Sequence, residues 1–146
     1  MDFKKQLATK FDHEKLEVYR FELDFIEWVT PLLDEAAAAA KGRTREVCDQ
    51  LDRASLSVLL NTAEGNGKRQ RQVRAKFFDD ARGSATECAA CLDALVAKRV
   101  VSPERIVAGK DLLLKIVSML SGLVNRFDGS GDVLREDSPE YVTDAI

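Results

Sequence analysis

The sequence has 146 residues, of which 45% are hydrophobic and 32% are charged, and its formal net charge is −3. A chain of this length fits one domain that can bury a core. No apolar run approaches the roughly 18 residues of a membrane span, and the first residues, MDFKKQ, lack the apolar stretch of a signal peptide, so we expect a cytoplasmic protein and no membrane partner.

The first predicted element is an amphipathic helix that follows an N-terminal arm, residues 1–13. Its apolar residues recur in alternating steps of three and four, which places them on one helical stripe. They are Val18, Phe21, Phe25, Trp28 and Leu32. Pro31 predicts a kink rather than a break, because the alanine run 36–40 continues the helix, and Gly42 ends it.

Three further helices are predicted from the same spacing. The second has Val47, Leu51, Ala54 and Val58 on its stripe, and the third has Phe77, Ala81, Ser84, Cys88, Cys91 and Leu95. The fourth starts at Ser102-Pro103, a capping residue followed by proline, and contains Ile106, Leu113, Leu120 and Phe127. Four amphipathic helices with short connections predict an all-α, up-down-up-down four-helix bundle over residues 14–127, without a sheet.

The last residues differ in composition from the rest of the chain. Residues 128–146 contain six acidic residues and a single basic one, Arg135, and a Gly-Ser-Gly sequence lies near their start. Such a segment buries too little apolar surface to order itself, so we expect a flexible acidic C-terminal tail.

A polar cluster interrupts the apolar stripe at the end of the second helix. Asn61 falls on that stripe and Glu64 lies one turn further, so both need partners. The candidates on the facing part of the third helix are Arg82, Ser84 and Glu87. We interpret this set as a structural polar network that fixes helix register. A ligand or catalytic site built on Glu64 and Glu87, and a contact between subunits, are the alternatives.

A run of basic residues follows this cluster. It consists of Lys68, Arg69, Arg71, Arg74 and Lys76. From Arg43 to Lys76 eight basic residues outnumber four acidic ones, whereas from Phe77 to Ile146 twelve acidic residues outnumber eight basic ones. Long cations at the start of a helix suit phosphate backbones, so we predict a nucleic-acid-binding surface here, although a solvated helix face has the same composition. The run contains no interleaved aromatic residues, which argues against sequence-specific recognition.

The chain lacks the residues of the common catalytic and metal sites. Cys88-Ala89-Ala90-Cys91 is predicted in mid-helix on the core stripe, where cysteines act as small buried hydrophobes. A zinc site would need two more ligands, for which only Cys48 and His13 remain, and a single histidine excludes paired Glu-x-x-His motifs. The glycines Gly65 and Gly67 follow a helix rather than a strand, unlike a phosphate-binding loop. We therefore predict no catalytic residue, metal, cofactor or small-molecule substrate.

A resemblance to a known family rests on three groups of residues. Asn61 followed by Ala63-Glu64-Gly65, then Phe77-Phe78, then Gly83-Ser84 with Glu87, resemble the signature of the four-helix-bundle proteins found in intervening sequences of bacterial large-subunit ribosomal RNA genes. That family is similar to the accessory protein of diversity-generating retroelements. The resemblance implies assembly into a homopentameric ring, and it implies little about biochemical activity.

Gly83, Gly109 and Gly122 also favour an oligomer, because glycines inside helices suggest close approach of backbones. We expect a non-enzymatic oligomer of helical bundles that binds RNA, another nucleic acid or an RNA-bound protein through its basic run. A scaffold that binds proteins through its helical faces is the alternative.

Overall fold

The computed structural model describes residues 11–40 and 42–128 of the chain. These residues form four α-helices: α1 (Glu17–Ala40), α2 (Arg45–Asn66), α3 (Arg71–Ala97) and α4 (Val107–Phe127). Short 3₁₀ segments at Asp12–Lys15 and Pro103–Ile106 precede α1 and α4, and no strand occurs in the described ranges. None of these helices combines the length and the apolar character needed to cross a membrane.

Consecutive helices pack against each other in antiparallel pairs, and α1 closes the bundle by packing on both α2 and α4. On α2 and α3, Gln50 bonds Glu87 whereas Ser57 bonds Ser84, so one helix ascends as the other descends. The predicted all-α, up-down-up-down four-helix bundle is confirmed. As a result, the ends of α2 and α4 lie at the same end of the bundle as the starts of α1 and α3.

The first helix continues without a break through Pro31, which is exposed, and it ends just before Gly42, whose φ of 100° suits only glycine without strain. On its stripe Val18, Phe25 and Leu32 are buried as predicted. Phe21 and Trp28 are only partly buried and flank the core. The positions that complete the buried stripe are Glu22, Val29 and Ala36.

On α3 four positions of the predicted stripe are buried in the core, namely Ala81, Cys88, Cys91 and Leu95, and the other two are shifted by one residue. Phe78 and Ala85 are fully buried, in place of the predicted Phe77 and Ser84, which are half-buried. The predicted and the observed sets of core positions both alternate steps of three and four residues along the helix. The structure buries Leu92 in addition to Cys91, and Ala85 in place of Ser84, which removes more apolar surface from water.

Gly109 is explained by packing within the chain rather than by contact with another subunit. A Cβ atom at this position would lie 2.2 Å from Cζ3 of Trp28, so only glycine lets the indole ring of α1 lie against α4. Gly83 and Gly122, by contrast, face open space.

The expected N-terminal arm lies outside the described residues for positions 1–10. Asp12 and His13 belong to the first 3₁₀ segment, and the carboxylate of Asp12 accepts a 2.9 Å hydrogen bond from Asn66 at the end of α2. The acidic tail also lies outside the described residues from position 129 onwards.

Candidate nucleic-acid interface

The predicted basic run forms the connection from α2 to α3 and the first turns of α3. Arg69, Arg71 and Lys76 are exposed, whereas Lys68 and Arg74 are half-buried. Arg126, near the end of α4, joins them, because its backbone carbonyl accepts a hydrogen bond from the guanidinium of Arg71. We call these six residues the basic cluster: Lys68, Arg69, Arg71, Arg74, Lys76 and Arg126.

Arg74 is half-buried, and its side chain joins the start of α3 to the end of α2. Its guanidinium donates to the carbonyl of Lys68 and to Oδ1 of Asn66, both at 3.1 Å. Asn66 in turn donates to Asp12, so one chain of hydrogen bonds links α3, α2 and the first 3₁₀ segment. Helical periodicity alone places Arg74 on the exposed side of α3, because it does not show that the preceding connection folds back over this side chain.

Two aromatic rings lie within the basic cluster. The guanidinium carbons of Arg71, Arg74 and Arg126 lie 5.2, 4.6 and 5.3 Å from the centre of the Phe127 ring. The ammonium groups of Lys68 and Lys76 lie 5.3 and 5.5 Å from the centre of the Phe77 ring. Cations at these distances are attracted to an aromatic face. The run itself contains no aromatic residue, but the fold brings Phe127 to it from the other end of the sequence.

The charge of the cluster is only partly neutralised by neighbouring carboxylates. Lys68 pairs with Glu64 at 3.4 Å, and Lys76 pairs with Asp80 at 3.2 Å. Within the described ranges Arg69 and Arg71 form no ion pair, and the first turn of α3 contains no acidic residue. The positive end of the α3 dipole therefore adds to the two arginines rather than being offset by a carboxylate.

The residues of the predicted polar network make separate contacts between helices. Asn61 donates to Oγ of Ser57 at 3.0 Å, and that hydroxyl lies 3.0 Å from the hydroxyl of Ser84 on α3. Glu87 accepts from Gln50 on α2. Arg82 donates to Asp79 at 2.5 Å and to Ser121 on α4 at 3.3 Å.

Glu64 differs from the other members of this set. Its side chain is exposed and pairs with Lys68, one turn further along the chain. Glu87 lies opposite Gln50, which is fourteen residues from Glu64, or about 21 Å along the axis of α2. The two carboxylates therefore do not share the ligand or catalytic site that was the alternative interpretation.

One buried carboxylate was not predicted from the sequence. Glu22 on α1 is 1% exposed, and its Oε2 accepts a 2.7 Å hydrogen bond from the hydroxyl of Thr62 on α2. Burial raises the pKa of Glu22 to about 8, against the smaller opposing effect of the Thr62 hydrogen bond. The signal was the spacing: Glu22 follows Val18 by four residues and precedes Phe25 by three, so it continues the core stripe.

The cysteines of the C-x-x-C sequence, Cys88 and Cys91, are buried in the middle of α3. Burial is the main cause that raises the pKa of both thiols, which is the opposite of what a reactive thiolate needs. In residues 11–40 and 42–128, no group of three or more His, Cys, Asp or Glu side chains could hold a metal ion.

Residues 14–122 match the model of a family described as 23S rRNA-intervening sequence protein. No curated protein matches the chain. The matched range runs from the first 3₁₀ segment into the last turns of α4, so it contains nearly the whole bundle and most of the basic cluster. It also covers the residues at Asn61, Phe77 and Gly83 on which the resemblance was based, and the chain therefore belongs to the family of 23S rRNA-intervening sequence proteins.

Proposed function

We propose that this protein is a non-enzymatic, cytoplasmic oligomer that binds RNA, or another nucleic acid, through the phosphate backbone. The observation that carries the proposal is the basic cluster, in which cations from two helices gather at one end of the bundle around Phe77 and Phe127. Arg69 and Arg71 are exposed and form no ion pair within the described ranges, so the guanidinium of Arg69, and the donors of Arg71 that do not bond the carbonyl of Arg126, are accessible to phosphates.

Binding of this kind does not depend on reading bases. Cations neutralise phosphates and release counterions, which gives affinity without sequence preference. The rings of Phe77 and Phe127 are half-buried beneath the cations, so they orient the cluster rather than offer open faces for stacking. We therefore propose a shape- and charge-dependent interaction with structured or single-stranded RNA, made directly or together with an RNA-bound protein.

Assembly would increase the strength of this interaction. A ring repeats the cluster once per subunit, and several weak contacts on one RNA produce a much higher overall affinity. Two exposed leucines one turn apart on α2, Leu56 and Leu60, present apolar surface that a second subunit would cover. A pentamer is favoured by the family resemblance alone.

The experiment that tests RNA binding compares two double variants that change the charge equally at opposite ends of the bundle. Arg69→Glu with Arg71→Glu reverses the exposed arginines of the cluster, and Arg43→Glu with Arg45→Glu reverses two exposed arginines at the other end of α2. The affinity for a labelled single-stranded RNA at low salt should fall at least about tenfold in the first variant and much less in the second. Equal affinities of the two variants would refute the proposed interface.

The alternative function, a scaffold that binds other proteins, is favoured by the same exposed leucines, Leu56 and Leu60. A scaffold of this kind would show no RNA affinity even at low salt. Replacing the leucines would abolish its binding to other proteins, whereas reversing the charge of the arginines would not affect that binding.

A further inference from the structure

The acidic C-terminal segment begins next to the basic cluster. Phe127 is the last residue of α4, and its ring lies 4.6 Å from the guanidinium carbon of Arg74. The carbonyl one residue earlier, at Arg126, accepts a hydrogen bond from Arg71. Asp128, the last described residue, therefore follows directly on the two residues that these arginines contact.

The charge of this segment is complementary to that of the cluster. Residues 129–146 contain five acidic side chains and one basic side chain, a net charge of −4. The acidic residues are Asp132, Glu136, Asp137, Glu140 and Asp144. Eighteen residues span up to about 60 Å when extended, so their length lets these carboxylates reach every cation of the cluster.

We propose that the acidic segment 132–144 binds the basic cluster and competes there with RNA. The competition rests on the proposed function, since it needs the cluster to be the RNA-binding surface. Carboxylates and phosphates are both anionic oxygen groups that accept hydrogen bonds from arginine and lysine, so one set of donors serves both ligands.

The strength of the competition depends on the covalent link. Single exposed ion pairs are weak and are screened by salt. The link, however, holds the segment near the cluster at an effective concentration on the order of 1 mM. A segment with an intrinsic dissociation constant of about 0.1 mM would then weaken RNA binding about tenfold.

The basic residues of the N-terminal segment are the rival target for the acidic segment. Lys4, Lys5 and Lys10 precede a helix that starts at the same end of the bundle. Pairing between the two terminal segments would leave the basic cluster free and would not inhibit RNA binding. The test must therefore identify the lysines that the acidic segment contacts.

The first measurement uses full-length protein and the fluorescence anisotropy of a labelled 20-nucleotide oligouridine at low salt. One variant neutralises the acidic segment by Asp132→Asn, Glu136→Gln, Asp137→Asn, Glu140→Gln and Asp144→Asn. The matched control removes five exposed carboxylates of the bundle by Glu27→Gln, Asp34→Asn, Asp49→Asn, Asp52→Asn and Asp111→Asn. The segment variant should bind RNA about tenfold more tightly than the control, and equal affinities of the two would overturn the inference.

The second measurement is carbodiimide crosslinking of the wild-type protein, read by mass spectrometry. Carboxylates of residues 132–144 should link to Lys68 and Lys76 at low salt and not at high salt, while the adjacent pairs Lys68–Glu64 and Lys76–Asp80 serve as internal references. Links to Lys4, Lys5 or Lys10 alone, or no links from the segment, would overturn the inference. If neither wild type nor variant binds oligouridine, the proposed function fails, and the crosslinks still decide whether the segment docks on the cluster.

Discussion

The hydroxyl of Thr62 on α2 donates a 2.7 Å hydrogen bond to Oε2 of Glu22 on α1, and both side chains are buried. The second carboxylate oxygen of Glu22 is also buried and has no hydrogen-bond partner among the described residues. An ionised carboxylate in this position would lack the partners that normally compensate for lost hydration. The protonated form is therefore the one that the bundle favours.

The stability of the fold should accordingly depend on pH. The pKa of Glu22 is about 8 in the folded protein and near 4.5 when the group is unperturbed, so between these values the folded state binds one more proton than the unfolded state. Stability is then greatest below about pH 4.5 as far as this group is concerned, and it falls as the pH rises towards 8, by up to about 1.4 kcal/mol per pH unit.

The variant Glu22→Gln should remove this dependence, because an amide does not ionise. Urea unfolding at pH 5, 6, 7 and 8 should give a flatter profile than wild type, with the variant relatively more stable at pH 8. Glu27→Gln, an exposed change on the same helix, is the control and should leave the profile unchanged. Parallel profiles of wild type and Glu22→Gln would show that Glu22 is ionised in the folded protein.

Glycines in the helices should respond oppositely to substitution by alanine. Gly109→Ala places a Cβ atom 2.2 Å from the Trp28 ring, so it should cost about 1–3 kcal/mol and lower the melting temperature. Gly83→Ala adds its Cβ to open space and should stabilise α3 by up to about 1 kcal/mol within a single subunit. Equal melting temperatures of Gly109→Ala and wild type would contradict the packing of Trp28 on α4.

The arginines of the basic cluster should separate into structural and exposed members. Arg74→Ala removes two hydrogen bonds, to Asn66 and to the carbonyl of Lys68, and should lower the free energy of unfolding by about 1–3 kcal/mol. Arg69→Ala alters an exposed side chain and should change it by less than about 0.5 kcal/mol. Thermal unfolding of both variants checks this order, and a reversed order would show that Arg74 does not join the helix ends.

Assembly should be visible as a molecular mass several times 16.2 kDa in light scattering at micromolar concentration. Leu60→Asp places a charge on apolar surface that is exposed in the single bundle, so it should reduce the mass and leave the helical content unchanged. Ser118→Asp, at an exposed position of α4, is the matched control. A wild-type protein that is monomeric at every concentration would refute the oligomer.

The sequence was sufficient to predict the bundle because its core stripes repeat at helical spacing over four segments. Positions shared by both possible phases of the α3 stripe, such as Ala81, Cys88 and Leu95, were assigned correctly. The choice between the two sets of positions depends on how the whole helix packs, so spacing alone did not determine it. The prediction placed Phe77 in the core, whereas the structure has Phe78 there. The family assignment from Asn61, Phe77 and Gly83 with their neighbours was confirmed.

The candidate interface was less predictable, since contacts between distant segments define it. The basic run was evident, but the packing of Phe127 and Arg126 on it requires α4 to end beside the start of α3. In the sequence nothing distinguishes Arg74 from its exposed neighbours, whereas the fold places Oδ1 of Asn66 3.1 Å from its guanidinium Nη2. The burial of Glu22 was not predicted, although its spacing matches the core stripe, because charged residues are usually exposed.

The most direct test of the proposed RNA interface is the salt dependence of RNA affinity in wild type and in the double variant Arg69→Glu with Arg71→Glu. Each lost phosphate contact on a single strand should reduce the slope of log affinity against log salt by about 0.7, so we expect a slope shallower by about 1.4 in this variant. The control Arg43→Glu with Arg45→Glu should keep the wild-type slope. The account would be contradicted if the slope of the double variant Arg69→Glu with Arg71→Glu equalled that of wild type. It would also be contradicted if wild type bound no RNA at low salt.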